Sequence, residues 1–212
     1  MISLNTQQLE TLASYIRGGA SDASQALSTW LGRHVHVSLE QLKQVSLETA
    51  TELLGPADAI VCACCMRVSG GISGQMLLGF DDKCGLELCD MLLTRESRSE
   101  FWGEIEISAA TETTNIVGCA FLNSLALVFP VADSYEEADR LALDRSWLPT
   151  PPAFIRDFAA SIMQFALTDQ VCEFETVLVG NAQFSADNMP IAWRLLLIPD
   201  AQVLDHLARN LR

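Results

Sequence analysis

Glu104–Val128 reads E-I-E-I-S-A-A-T-E-T-T-N-I-V-G-C-A-F-L-N-S-L-A-L-V. The stretch is apolar enough for a core helix, yet it carries Ser108, Glu112 and Asn115. These stand at i, i+4 and i+7, so on a helix they share one face. Ile105, Ala109, Ile116, Ala120 and Leu127 offer an apolar stripe for burial beside that line. Glu is a good helix former, and Thr111, Thr113 and Thr114 extend a polar face around it. Asn gains little inside a helix, where its side chain competes for backbone hydrogen bonds. Two readings follow: an ordinary amphipathic face, or a carboxylate and a carboxamide held together for chemistry.

The chain around this stretch has 212 residues, enough for one substantial core or two small ones. Half of the residues are hydrophobic and 19% are charged, which predicts a folded globular protein. The net charge is −14 and no Lys/Arg cluster stands out, which argues against nucleic acid and anionic membrane as partners. No apolar run reaches the roughly 18 residues of a membrane span, and the N-terminus lacks the pattern of a signal peptide. A cytoplasmic protein is expected. Seven cysteines fit that compartment as free thiols. In I-V-C-A-C-C-M-R-V, Cys62 and Cys64 fall on one strand face and Cys65 on the other, as small buried hydrophobes. No second C-x-x-C and no nearby His completes a metal site. His34, His36 and His206 form no visible acid–base pair.

Taken in order, Thr6–Leu31 has helical periodicity, with Asn5 or Thr6 as its cap. Gly18-Gly19 inside it signals the close approach of another element. His34–Leu39 alternates like a strand, and Leu42–Leu54 reads as a short strand followed by a helical turn ending at Gly55-Pro56. Ala57–Val68 and Gly74–Phe80 form a hairpin, and Asp81-Asp82 open a helix through Leu93. Thr94–Glu100 is a linker. Beyond the central stretch, Ser134 and Glu137 make a capping box in the acidic segment Asp133–Arg145. Pro152 opens a helix over Ala153–Leu167. Val171–Gly180 and Pro190–Ile198 are strands separated by a Gly/Asn/Asp-rich connection, and Pro199-Asp200 start a closing helix, Ala201–Leu211. The order of long helix, linker, strand, hairpin, strand and short helix thus occurs twice, over about 4–94 and 100–212. An α+β fold is expected, a pseudo-twofold duplication in one domain (1–212) with long helices on an antiparallel sheet. Strand edges at the hairpins permit pairing between copies, so monomer and homodimer both stay open.

These residues resemble the CheC/CheX/FliY phosphatases of bacterial chemotaxis. That family carries Asp or Ser, three residues, Glu, two residues and Asn on a helix, which Ser108, Glu112 and Asn115 match. The hairpin I-V-C-A-C-C-M-R-V-S-G-G-I-S-G-Q-M-L-L-G-F and the duplicated layout are similar to the family's pattern too. The first half departs from it: aligning Gly19–Ser28 with the family's G-x-G-N-A-x-x-A-L-S puts Ser14 at the Glu position and Arg17 at the Asn position. One site is therefore expected. The family's later Pro falls near Ala138, and the first prolines beyond it are Pro149, Pro151 and Pro152.

The resemblance implies a substrate, the phospho-aspartate of a CheY-like receiver domain, and an aspartyl-phosphate phosphatase activity. It implies Glu112 and Asn115 as catalytic residues and Ser108 as a contact to the substrate protein. No cofactor of its own is implied, since Mg²⁺ would come with the receiver. Three roles are compatible with it. The first is hydrolysis at the receiver. The second is a docking module for a receiver or a CheD-like partner. The third is a structural role in the flagellar switch, against which stands the expectation that 212 residues leave no room for FliY's extra switch domains.

Overall fold

The computed structural model describes residues 3–70, 73–95, 98–127, 147–167, 176–186 and 189–211. The acidic segment 133–145, with Ser134, Glu137 and the Ala138 position, lies outside the described residues. The elements run α1 (Thr6–Leu31), β1 (Val35–Ser46), α2 (Leu47–Leu54), β2 (Ile60–Gly70), β3 (Gly74–Phe80) and α3 (Asp82–Leu92). The second half follows with α4 (Glu104–Ala126), β4 (Trp147–Pro149), β5 (Ala153–Phe158), α5 (Ala159–Leu167), β6 (Thr176–Ala186), β7 (Met189–Pro199) and α6 (Ala201–Asn210).

All seven strands join one antiparallel sheet in the order β1-β6-β7-β3-β2, with β4 and β5 both on the outer edge of β2. The fold is therefore α+β. Reading the sheet from either edge gives the same sequence of roles. The first strand of each half pairs with the hairpin of the other half, and the two hairpins meet at β3 and β7. Helices α1, α3, α4 and α6 cover one sheet face, whose core includes Ile16, Leu27, Met66, Met76, Phe121, Phe184 and Trp193. Helices α2 and α5 cover the other, over Val61, Leu77, Ile162, Met163, Val179 and Leu196. Central β3 is buried at every position, which explains its unbroken apolar sequence. Edge strand β1 alternates buried and exposed residues up to a bulge between Leu39 and Leu42. His36 stands on it, while His34 precedes it.

Two sequence expectations need correction. Ala153–Leu167 is not one helix: Ala153–Phe158 is strand β5, and the helix begins at Ala159. The apolar spacing of Ala159, Ile162, Met163 and Ala166 is helical, and it blends into A-F-I-R-D-F without a breaker. What selects the strand is non-local. Without β5 the edge of β2 from Ile60 to Cys65 would lose its backbone partners. Phe154 also meets the Trp102 ring at 4.6 Å. Likewise, the β6–β7 connection is far shorter than its Asn and Asp content suggests. Asn181, Gln183 and Ser185 alternate with the buried Ala182 and Phe184, and β6 runs to Ala186. Glu40 on β1 accepts from Asn181 at 3.2 Å and from Gln183 at 2.6 Å.

The long helices cross through the paired glycines of α1. A Cβ on Gly19 would lie 2.7 Å from the carbonyl oxygen of Ala120 in α4, so this crossing requires glycine. The Ser124 hydroxyl of α4 donates to the Tyr15 carbonyl beside it. Helix α1 ends at Gly32, which takes the left-handed conformation with φ 64°.

Candidate functional site

Helix α4 presents its line on a platform that begins one turn upstream. Glu106 is 6% exposed, and it accepts from the Gly103 backbone N–H at 3.0 Å, closing the first turn. Arg95 pairs with the same carboxylate and donates to the Ser99 hydroxyl at 2.7 Å. Ser99 in turn donates through its hydroxyl and backbone N–H to Asp90 at 2.5 and 2.8 Å. This chain of bonds ties the end of α3 to the start of α4. Burial pushes the Glu106 carboxyl up, but helix N–H donors and Arg95 outweigh it and the net shift is downward.

A second clamp acts on Trp102, which directly precedes the helix. Asp82, at the start of α3, accepts two hydrogen bonds from Arg156 of β5, at 2.9 and 2.7 Å. It also accepts from Trp102 Nε1 at 2.9 Å and from the Cys62 thiol at 3.2 Å. The Arg156 guanidinium lowers the Asp82 carboxyl from its ordinary 3.8 to about 2. Sequence reading identified neither clamp. Glu106 carries the one local signal, a Glu at the third helical position.

Within α4, Ser108 and Glu112 are exposed and Asn115 is half-buried, all along one line. Among the described residues neither Ser108 nor Glu112 has a side-chain hydrogen bond or ion pair. Asn115 Oδ1 accepts from the Cys119 thiol one turn on, with sulfur and oxygen 3.7 Å apart. The buried side of the helix differs from the expected stripe. Ala109 and Ala120 are buried and Ile116 is partly so, but Ile105 is 58% exposed and Leu127 is 74% exposed. Thr113 and Thr114, read as polar surface, are wholly buried. Their hydroxyls donate to the carbonyls of Ala109 and Ala110 at 2.8 and 2.9 Å, which satisfies these donors inside the core.

The cysteines of β2 divide as their alternation predicts: Cys62 and Cys64 join the core under α1 and α4, Cys65 the opposite one. Burial pushes the thiols of Cys64 and Cys65 up to about 12, so both stay protonated and inert at neutral pH. Among the described residues no three His, Cys, Asp or Glu side chains gather where they could hold a metal ion. No described helix is long and apolar enough to cross a membrane.

The same platform occurs on α1. Asn5 caps that helix by accepting from the Gln8 N–H, and Gln8 accepts from the Asn5 N–H, both at 2.9 Å. Gln8 also donates to the Ala208 carbonyl near the end of α6 at 2.6 Å, as Glu106 reaches toward α3 through Arg95. One interval in sequence relates Asn5 to Gly103 and Gln8 to Glu106. It also carries Glu10 to Ser108, Ser14 to Glu112 and Arg17 to Asn115, in agreement with the alignment drawn from the sequence. Arg17 pairs with Glu10 along the α1 face, and the Ser14 hydroxyl donates to the Thr11 carbonyl at 2.6 Å.

No protein-family model matches the chain, and no curated protein matches it. Solved structures do. FliY of Thermotoga maritima is similar over 98% of this chain and 97% of its own, with TM-score 0.68 and 16% identity. FliM of H. pylori, solved in complex with SpeE, is similar over 98% of each chain, with TM-score 0.68 and 14% identity. The FliG–FliM complex of H. pylori contains a chain similar over 95% of this one and 100% of its own, with TM-score 0.67 and 12% identity. The chain has the CheC/CheX/FliY fold.

Proposed function

We propose that the protein hydrolyses the phospho-aspartate of a CheY-type receiver domain, and that the exposed line of α4 does so. The observation that carries this reading is the placement of Ser108, Glu112 and Asn115 together on the solvent-facing side of a helix whose opposite side is enclosed. An acyl phosphate is already reactive, so a helper gains most by holding water in line with the bond to be broken. Water attacks phosphorus, the bond from phosphorus to the aspartate oxygen breaks, and phosphate leaves with the water's oxygen as the carboxylate is regenerated. Asn115 orients that water, because a carboxamide offers both donors and an acceptor. Glu112 meets the receiver lysine that stands beside the phosphoryl group, and Ser108 contacts the docked surface. Mg²⁺ belongs to the receiver's acidic pocket in this scheme. Such a substrate places the protein in the cytoplasm.

A second reading is a docking module that binds a receiver, a CheD-like protein or another chemotaxis partner without turning it over. The likeness to FliM, solved in complex with FliG and with SpeE, favours it. One experiment separates the two: phosphate release from a phosphorylated, Mg²⁺-loaded CheY-like receiver, with wild-type protein beside Asn115→Ala and Glu112→Ala. The phosphatase reading expects acceleration by the wild type and a loss of at least about 100-fold in Asn115→Ala, the scale on which mispositioning costs rate. Binding without acceleration would support the docking module. Neither binding nor acceleration would remove both readings.

A further inference from the structure

We infer that Cys119 is a positioning residue for Asn115, a role that rests on the phosphatase reading. Three side chains converge on this part of α4: Glu112, Asn115 and Cys119, at i, i+3 and i+7 of one helix face. The Cys119 thiol is half-buried beneath the carboxamide and donates to its Oδ1 over 3.7 Å. Burial and the charge of Glu112 push this thiol up, so at neutral pH it remains S–H, the form that can donate.

An Asn side chain carries an acceptor and a donor on opposite sides of one rotatable bond. Without a partner, the two orientations differ little in energy. With the Cys119 proton engaged on Oδ1, the Nδ2 hydrogens are the ones left to meet the attacking water. A water that accepts from Nδ2 keeps a second lone pair for phosphorus. The thiol thus decides which end of Asn115 meets the attacking water, while touching neither water nor phosphate itself. The equivalent residue on α1 is Ser21, which follows an Arg rather than an Asn and has no carboxamide to orient.

The test compares wild type, Cys119→Ala and Cys119→Ser by two readouts. In phosphate release from a phosphorylated CheY-like receiver, Cys119→Ala is expected to lower kcat about three- to tenfold at unchanged KM, the scale of one modest hydrogen bond. Cys119→Ser restores the donor and most of the rate. In ¹⁵N-edited spectra of the free protein, the Asn115 side-chain amide pair shifts in Cys119→Ala and returns toward its wild-type position in Cys119→Ser. Identical Asn115 signals in all three proteins would overturn the inference regardless of the kinetics. An unchanged kcat in Cys119→Ala, with active wild type, would overturn its catalytic part. Shifted Asn115 signals with no acceleration by wild type would instead sink the phosphatase reading, and leave the Cys119–Asn115 contact standing.

Discussion

Helices α1 and α4 are the same device with different residues on the outward line. Each starts with a third helical residue that accepts from the backbone N–H before the helix and also reaches toward the short helix that ends a half, and they cross each other at Gly19 and Ala120. On α4 the line reads Ser108, Glu112, Asn115, and its first two side chains are turned to solvent. On α1 it reads Glu10, Ser14, Arg17, with Glu10 and Arg17 paired to each other. Arg has no acceptor and Ser14 has no charge, so the proposed phosphatase scheme has neither its water-orienting nor its lysine-binding group on α1. The two helices share the form of their starts and meet at one crossing, and they differ in the side chains on the outward line.

The strongest way to break this comparison is to transplant the line. Glu10→Ser, Ser14→Glu and Arg17→Asn together, in an Asn115→Ala background, should restore measurable phosphate release if presentation by the scaffold suffices. No recovery, in a variant whose circular dichroism and melting match the parent, would mean that the surroundings of α4 contribute something α1 lacks. The two caps come next. Glu106→Ala takes one carboxylate from Arg95, which keeps Ser99 and Asp90, and leaves the Gly103 N–H without its acceptor, and should cost about 2–3 kcal/mol. Gln8→Ala removes only neutral hydrogen bonds at a half-exposed position and should cost about 1 kcal/mol. Urea unfolding of both variants checks the order, and equal values would show that the charge on Glu106 adds nothing.

A third test addresses the shared crossing. Gly19→Ala forces a methyl against the Ala120 backbone and should destabilise by about 1–3 kcal/mol, as overpacking does. Gly18→Ala meets only the Ser124 hydroxyl, at 3.1 Å, and should cost less. The smallest effect belongs to the clamp on Trp102. Asp82 is held lower in the folded protein than in the unfolded chain. Its contribution is therefore complete above its ordinary 3.8 and disappears as pH falls through about 2. Thermal melts of wild type and Arg156→Ala should differ slightly at pH 6 and converge as pH drops toward 2, because the pair is partly solvent-exposed and screened.

Much of this was legible in the chain. Alternation in H-V-H-V-S-L marks a strand, and the apolar run of Gly74–Phe80 marks half of a hairpin, both of which the structure contains. Gly18-Gly19 announces a close helix crossing, and Asp81 and Asp200 sit at the helix starts where they were expected. The spacing of Ser108, Glu112 and Asn115 places them on one face by helix geometry alone. These signals are local: they depend on backbone period, on a missing Cβ or on a cap within one turn.

Other features were decided only by partners distant in sequence. Thr113 and Thr114 look polar by composition, yet with their hydroxyls bonded to carbonyls one turn back both are wholly buried. Ile105 and Leu127 look buried by type, yet at the two ends of α4 both are exposed. A-F-I-R-D-F becomes a strand because β2 needs an edge partner, and Arg156 and Phe154 find Asp82 and Trp102 across the fold. Residue spacing and type set the helical period, the helix starts at Asn5, Asp81 and Asp200, and the candidate line. Tertiary structure decided which face of α4 is buried and how Arg95 and Trp102 anchor its start. The reason is physical: periodicity sets which residues share a face, but only long-range packing and hydrogen-bond satisfaction decide which face meets water.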